Sequence, residues 1–186
     1  MTFSSYLKRL DLALNSITDK DVSRAVQLFK SVASSGKSIW FMGNGGSAAT
    51  SNHAAIDLLK VFESCGIRAQ AHSLVSNGSI LTAVANDISY EEIFSIQIRN
   101  MAKEGDLIVA ISASGNSTNL VRGIEEASKL SCRTLSLLGF NGGILQSKSE
   151  IALTFQTQLG DYGVSEDCHS VFLHFVAETL RESLLS

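Results

Sequence analysis

Short, nearly unbroken apolar runs punctuate the chain at 37–42, 68–74, 106–112, 133–138 and 150–155. Each is too short for a helix and is bounded by polar or glycine-bearing segments, which predicts strands. Between them apolar residues recur every three or four positions. That period predicts helices over 47–63, over 78–102 with a break near Asn86 and Asp87, and over 117–130. A last helix is expected over roughly 165–184. Ahead of the first strand, Tyr6, Leu7, Leu10, Leu12 and Leu14 make 4–16 an amphipathic helix. Val22, Ala25, Val26, Phe29 and Val32 make a second, started by Asp19 or Asp21 and ended before Gly36. The alternation of strand and helix from Lys37 onward predicts a parallel sheet covered by helices on both faces. The two leading helices exceed what such a core needs, and their apolar stripes suit either a neighbouring subunit or the sheet itself.

Composition narrows this picture. A chain of 186 residues fits one domain, with 1–36 as a helical extension and 37–186 as the α/β core. A net charge of −3 gives no electrostatic footprint for nucleic acid or an anionic membrane surface, so neither is an expected partner. The opening MTFSSYLKRLDLAL lacks the apolar stretch of a signal peptide, and no run approaches the ~20 apolar residues of a membrane span. Cys65, Cys132 and Cys168 form no CxxC pair and read as reduced thiols of a cytoplasmic protein. Proline is absent, which leaves helix breaks to glycine, serine and asparagine.

Two strand ends run into polar loops, and in an open parallel sheet both belong at the ligand-binding edge. The first strand leads into Gly43-Asn44-Gly45-Gly46-Ser47, with Ser47 expected to cap the following helix. Such a turn places unpaired backbone N–H groups around an anion, although glycine clusters after strands often do no more than turn the chain. The second loop, Ser112-Ala113-Ser114-Gly115-Asn116-Ser117, is more specific. It offers hydroxyl and backbone donors without a cation, which suits a phosphate monoester at a helix N-terminus, or simply a serine-rich cap. Neither loop has the spacing of a nucleotide P-loop or of a dinucleotide fold. His53 and Asp57, four residues apart, share a helix face. Near the C-terminus Glu166, Asp167, His169 and His174 supply further imidazoles and carboxylates, suited to a divalent metal such as zinc or to proton transfer. Asn86, Asp87 and Tyr90-Glu91-Glu92 add polar groups after the second strand, and His72, inside a strand, reads as structural.

Four segments occur in order over about 30–182: GNGGSA followed by His53, ILTAVANDISYEEIF, GDLIVAISASGNS, and the end with Glu166, Asp167, His169 and His174. Together they resemble the SIS (sugar isomerase) family and, within it, the phosphoheptose isomerases, which interconvert sedoheptulose 7-phosphate and D-glycero-D-manno-heptose 7-phosphate. The resemblance implies a flavodoxin-like three-layer sandwich with a five-stranded parallel sheet, assembled as a homotetramer with sites at subunit boundaries. It implies phosphate binding by Ser112, Ala113, Ser114 and Ser117, and sugar contacts from Asn44, Gly45, Gly46, Ser47, Asn86 and Asp87. It also implies a zinc-type site from His53, Asp57, Glu166 and His174. In that site Asp57 and Glu166 also touch substrate, Asp57 is the base and His174 the opposing acid/base. A heptose for surface glycan, lipopolysaccharide or capsule, is the implied product.

Departures from the family pattern bear on the chemistry. Phosphoheptose isomerases carry glutamate at the position of Asp57, glutamine at Glu166, threonine at Ala113 and usually arginine at Val61, beside which this chain has Lys60. An aspartate base sits about 1.5 Å further back than glutamate, the length of one C–C bond. A displacement of that size can cost ~100-fold in rate unless substrate or metal shifts with it. Glu166 and His174, eight residues apart, are separated by about 12 Å on one helix. They can share a metal only if Glu166 precedes the helix or if the two come from different chains. The rival readings are a different ketose phosphate, a sugar-phosphate-sensing regulator, and a non-catalytic SIS protein that binds a replication initiator. That last protein lacks the second site histidine, so His174 favours the enzyme.

Overall fold

The computed structural model describes residues 2–185. Helices α1 (Phe3–Leu14) and α2 (Asp19–Ser34) precede β1 (Ser38–Gly43), α3 (Gly46–Ser64) and β2 (Gln70–Ser73). Next come α4 (Gly78–Asp87), a 3-10 turn (Tyr90–Glu92), α5 (Ser95–Met101), β3 (Leu107–Ser112) and α6 (Thr118–Lys129). The chain ends with β4 (Arg133–Leu138), the single turn α7 (Leu145–Lys148), β5 (Ile151–Thr154) and α8 (Tyr162–Leu185). The five strands pair in the order β2-β1-β3-β4-β5, all parallel. This is the architecture expected from the alternation.

Strand period two sorts the side chains onto two faces. Ile39, Phe41, Leu107, Val109, Leu135 and Leu137 join Phe29 of α2, Val61 and Phe62 of α3, and Phe172 and Val176 of α8 in one buried cluster. Trp40, Met42, Ile108, Ala110 and Leu138 join Phe94 and Ile98 around α5 with Leu120 and Ile124 of α6 in the other. Strands covered on both faces must be apolar on both, which is why β1 and β3 read as continuous runs. Val61 is wholly buried here, so an arginine at that position would lie in the core, while Lys60 is outside.

The break expected near Asn86 and Asp87 is present, dividing 78–102 into α4 and α5 where Ile88 leaves helical geometry (φ −126°, ψ −83°). Two boundaries differ from the sequence expectation. α8 starts at Tyr162, one turn earlier than expected, so Glu166 lies inside the helix. β2 is shorter than 68–74 because an edge strand has a ladder partner on one side only. Of the leading helices, α2 packs into the core through Ala25, Leu28, Phe29, Val32 and Ala33. α1 lies on α8, where the Tyr6 hydroxyl donates to Asp167 Oδ2 (2.6 Å) and Arg9 pairs with Asp161 (2.9 Å). Among the described residues, no helix is long and apolar enough to cross a membrane.

The strand order reverses beside β1: one neighbour, β2, is the next strand in sequence, and the chain then crosses back over β1 to place β3 on its other side. At such a switch point the loops leaving β1 and β3 open a crevice at the carboxyl edge. Both polar loops of the sequence analysis lie there.

Candidate active site at the switch point

After β1 the backbone turns through Gly45, whose φ of 56° glycine adopts without strain. Gly45, not Ser47, is therefore the helix cap. Ser47 is buried in the first turn, and its carbonyl accepts from Ser51 Oγ (2.8 Å). Gly46 is held to glycine by its neighbour, since a Cβ there would overlap the carboxylate of Glu166 from α8. A carboxylate thus stands against the N-terminus of α3, where the helix dipole favours negative charge.

In the loop after β3, Ser112 Oγ accepts from the Gly115 N–H (3.0 Å) and Ser114 Oγ from the Asn116 N–H (3.3 Å). Each hydroxyl keeps its own proton to donate. Ser117 is the N-cap of α6, but its side chain makes no capping bond. A cavity of about 120 Å³ separates the two loops, lined by Asn44, Ser47, Ser112, Ala113, Ser114, Ser117, Tyr162 and Glu166 among others, with no lysine or arginine. Asn44 exchanges two hydrogen bonds with Asn119 of α6 (3.0 and 2.9 Å) and also lines a second cavity of about 370 Å³, walled by Ala48, Ala49, Leu81, Tyr90 and Phe94.

Further along α3, His53 Nε2 lies 3.0 Å from Asp57 Oδ2. α8 brings His174 Nε2 to 3.4 Å from His53 Nε2 and 3.8 Å from the same carboxylate oxygen. Three ligand-type atoms therefore converge within 4.8 Å of one another. Two imidazole nitrogens this close, sharing one carboxylate oxygen, suit a cation or a shared proton between them. They open on a cavity of about 180 Å³ lined also by Ala49, Thr50, Ala54, Ser170 and Leu173. Lys60 Nζ reaches 4.0 Å from Asp57 Oδ1 on the outer side.

The structure thus brings His53, Asp57 and His174 together, and separately groups Asn44, Ser47 and the serine loop with Glu166. Glu166 belongs to the second group: eight residues before His174 within α8, it is about 12 Å away along the axis. Asn86 and Asp87 sit at the exposed end of α4, bonded to each other (2.8 Å), outside these three cavities. His72 stacks on Trp40 (4.2 Å) and bonds to Gln70. His169 is wholly buried against Phe155 and takes no part in either group. Burial pushes the Cys132 thiol up to about 11 and the Cys168 thiol to about 12, so neither offers a thiolate nucleophile. Asn119 and Tyr162 escaped the sequence reading, because a lone asparagine inside a helix and a tyrosine in an apparent loop follow no period.

A family model for the SIS domain matches residues 3–139, which includes both leading helices. A Thermoplasma volcanium protein named "Probable phosphoheptose isomerase" is 34% identical over 180 residues, covering 97% of this chain and 91% of that protein. The phosphoheptose isomerase of Geotalea daltonii is 34% identical over 163 residues, 88% and 84% of the two chains. The solved structure of a phosphoheptose isomerase from Neisseria gonorrhoeae superposes with a TM-score of 0.85 at 24% identity, covering 97% of this chain and 95% of that one. With the parallel sheet, the serine loop and the His53–Asp57 helix in their expected places, the chain belongs to the SIS domain family and, among its phosphoheptose isomerases, is an isomerase.

Proposed function

We propose that this chain interconverts sedoheptulose 7-phosphate and D-glycero-D-manno-heptose 7-phosphate. The observation that carries the reading is the convergence of His53, Asp57 and His174 on the same helix pair whose other end borders the serine-loop cavity. The phosphate is assigned to Ser112, Ser114, Ser117 and the backbone around Ala113, which supply binding energy remote from the reacting carbons. Asp57 is assigned the base that takes a proton from the carbon beside the carbonyl. In the metal-free site His174 Nε2, opposite, is assigned the acid that gives a proton to the carbonyl oxygen, which yields an enediol; with an ion bound, that nitrogen would be a ligand instead. Return of a proton to the former carbonyl carbon, with loss of one from the hydroxyl of the carbon first deprotonated, moves the carbonyl by one position and completes the exchange. The donor set of two imidazoles and a carboxylate fits a zinc-type ion held by His53, Asp57 and His174, which when bound would polarise the carbonyl oxygen. Glu166 could reach such an ion only from a second copy of the chain, in keeping with a proposed homotetramer with sites at subunit boundaries. Asn86 and Asp87 are assigned to the sugar on the same grounds. A cytoplasmic enzyme feeding surface-glycan heptose is the setting that this reading implies.

Purified protein incubated with sedoheptulose 7-phosphate, followed by NMR with and without added zinc, tests the reading. Aldose signals should appear, faster with zinc. Absence of turnover in both conditions, with tight binding of another sugar phosphate, would move the assignment to a different ketose phosphate.

A further inference from the structure

Three side chains form a clamp across the switch point. The backbone N–H of Leu120 reaches Asn119 Oδ1 (2.9 Å). A backbone N–H only donates, so the carboxamide atom facing it is the oxygen, and the orientation of Asn119 is fixed. Asn119 Oδ1 then accepts from Asn44 Nδ2 (3.0 Å), and Asn119 Nδ2 donates to Asn44 Oδ1 (2.9 Å), which fixes Asn44 in turn. The Tyr90 hydroxyl faces the same Asn44 oxygen at 3.0 Å and must therefore be the donor. Both lone pairs of Asn44 Oδ1 are now filled and one of its two Nδ2 hydrogens is used. A single N–H is left.

The clamp has a rigid base and a surface latch. Asn119 is only 2% exposed. Tyr90 is exposed, but its 3-10 turn is pinned through Glu92, which accepts from Ser95 Oγ on α5 and Arg122 on α6. The Ser95 hydrogen bond, with Arg122, holds the Glu92 carboxyl below the usual range, so the pinning charge persists. Asn44 itself lines both the serine-loop cavity and the neighbouring one under Leu81 and Phe94.

We propose that Asn119 and Tyr90 are positioning residues: they hold Asn44 as a donor-only group whose free N–H binds an acceptor oxygen of the phosphosugar between the two loops. The identity of the ligand rests on the function proposed above; the hydrogen-bond inventory does not. Two sources of that oxygen share the chemistry, the phosphoryl group and the sugar chain. A protonated amine at that point of the ligand would meet a donor and be excluded.

The test is a double-mutant cycle on the full chain, read by calorimetry with inorganic phosphate and with sedoheptulose 7-phosphate. Tyr90→Phe removes one surface hydroxyl and should leave the thermal midpoint unchanged. It leaves one lone pair of the Asn44 oxygen open, so the site presents an acceptor beside the N–H and Asn44 loses one of its two anchors; Kd should rise by about three- to tenfold, the range of one hydrogen bond. In an Asn44→Ala background, Tyr90→Phe should change nothing further. Weakening of both ligands assigns the contact to the phosphoryl oxygens, and weakening of the sugar phosphate alone assigns it to the sugar. Unchanged affinity for both ligands in Tyr90→Phe, or an equal effect when Asn44 is absent, overturns the clamp. Wild-type protein that binds inorganic phosphate but not sedoheptulose 7-phosphate overturns the heptose reading, while the phosphate cycle still decides the clamp. Binding of neither overturns both.

Discussion

In the proposed mechanism Asp57 would serve as ligand and as base with a side chain one carbon shorter than the glutamate that the family resemblance implies. Its Oδ2 already faces both imidazoles, at 3.0 Å and 3.8 Å, and only Oδ1 points toward Lys60. Removing His53 takes away one of three converging nitrogen and oxygen ligands, so His53→Ala should abolish stoichiometric metal and activity together, as read by elemental analysis and turnover. Asp57→Asn should cost more in kcat than in metal content, because it removes a proton acceptor as well as a ligand charge. Glu166 stands in the other cavity, and that separates its effects within one chain. Glu166→Gln should alter sugar-phosphate affinity more than metal content. The pair Asp57→Glu with Glu166→Gln supplies the residues that the family resemblance implies at both positions and should preserve or raise turnover of sedoheptulose 7-phosphate. Loss of activity in that pair, with an active wild type, would mean that both residues are tuned to this protein's own substrate. A wild-type rate indifferent to chelators, in protein without metal, would leave a metal-free acid/base pair.

At the scale of elements, α8 is the strut that positions both groups, since it carries Glu166, His174 and Tyr162. It leans on the sheet through His169, which is wholly buried and stacks edge-on against Phe155 of the chain after β5. Burial pushes this imidazole down to about 4 from its ordinary 6.5, the nearby Leu138 backbone pulling weakly the other way. The neutral ring is the folded form, so its contribution is complete above pH 6.5 and is lost as pH falls through 4, where the buried ring must take up a charge. The loss amounts to roughly 3 kcal/mol at full protonation. Urea unfolding at a series of pH values should show this decline, and His169→Leu should flatten it; an unchanged slope in the variant would assign acid lability elsewhere. Periodicity revealed most of these elements because β1, β3 and β4 are buried on both faces and the amphipathic helices on one. It failed where the physics was local. α7 is too short to show a period, the start of α8 is hidden behind Gly160 and Gly163, and the cap of α3 is set by a positive φ at Gly45 rather than by the serine beside it. The loops and the His53–Asp57 pair were legible from residue type and spacing. The Asn119–Asn44–Tyr90 clamp was not, because it joins three distant segments through single polar side chains.

The molecule as a whole leaves its candidate chemistry half open to water. The side chains of His53 and His174 are 58% and 54% exposed, and acid/base groups work best where water is excluded. Around them, apolar side chains remain uncovered: Ile56 and Leu59 on α3, Val171 and Phe175 on α8. α1 adds Phe3, Leu7 and Leu12, at 76%, 45% and 72% exposure, while its inner face is tied to α8 by Tyr6 and Arg9. Subunit association over these faces would both bury the apolar surface and close the site. Deleting 1–17 should lower the mass if these helices form an intersubunit bundle, but it would also cut the ties to Asp161 and Asp167, so it cannot separate assembly from the posture of α8. Charges on the outer face separate them. Leu7→Glu with Leu12→Glu leaves Tyr6 and Arg9 in place and should reduce the light-scattering mass toward that of one 19.9 kDa chain if α1 lies in the interface. Far-ultraviolet circular dichroism should be unchanged, and turnover should fall with the mass as the two imidazoles stay wet. A variant that keeps both its assembled mass and its rate would make α1 a cover for α8 alone, and would move the interface to the α3–α8 face, where Ile56→Glu and Phe175→Glu are the corresponding substitutions.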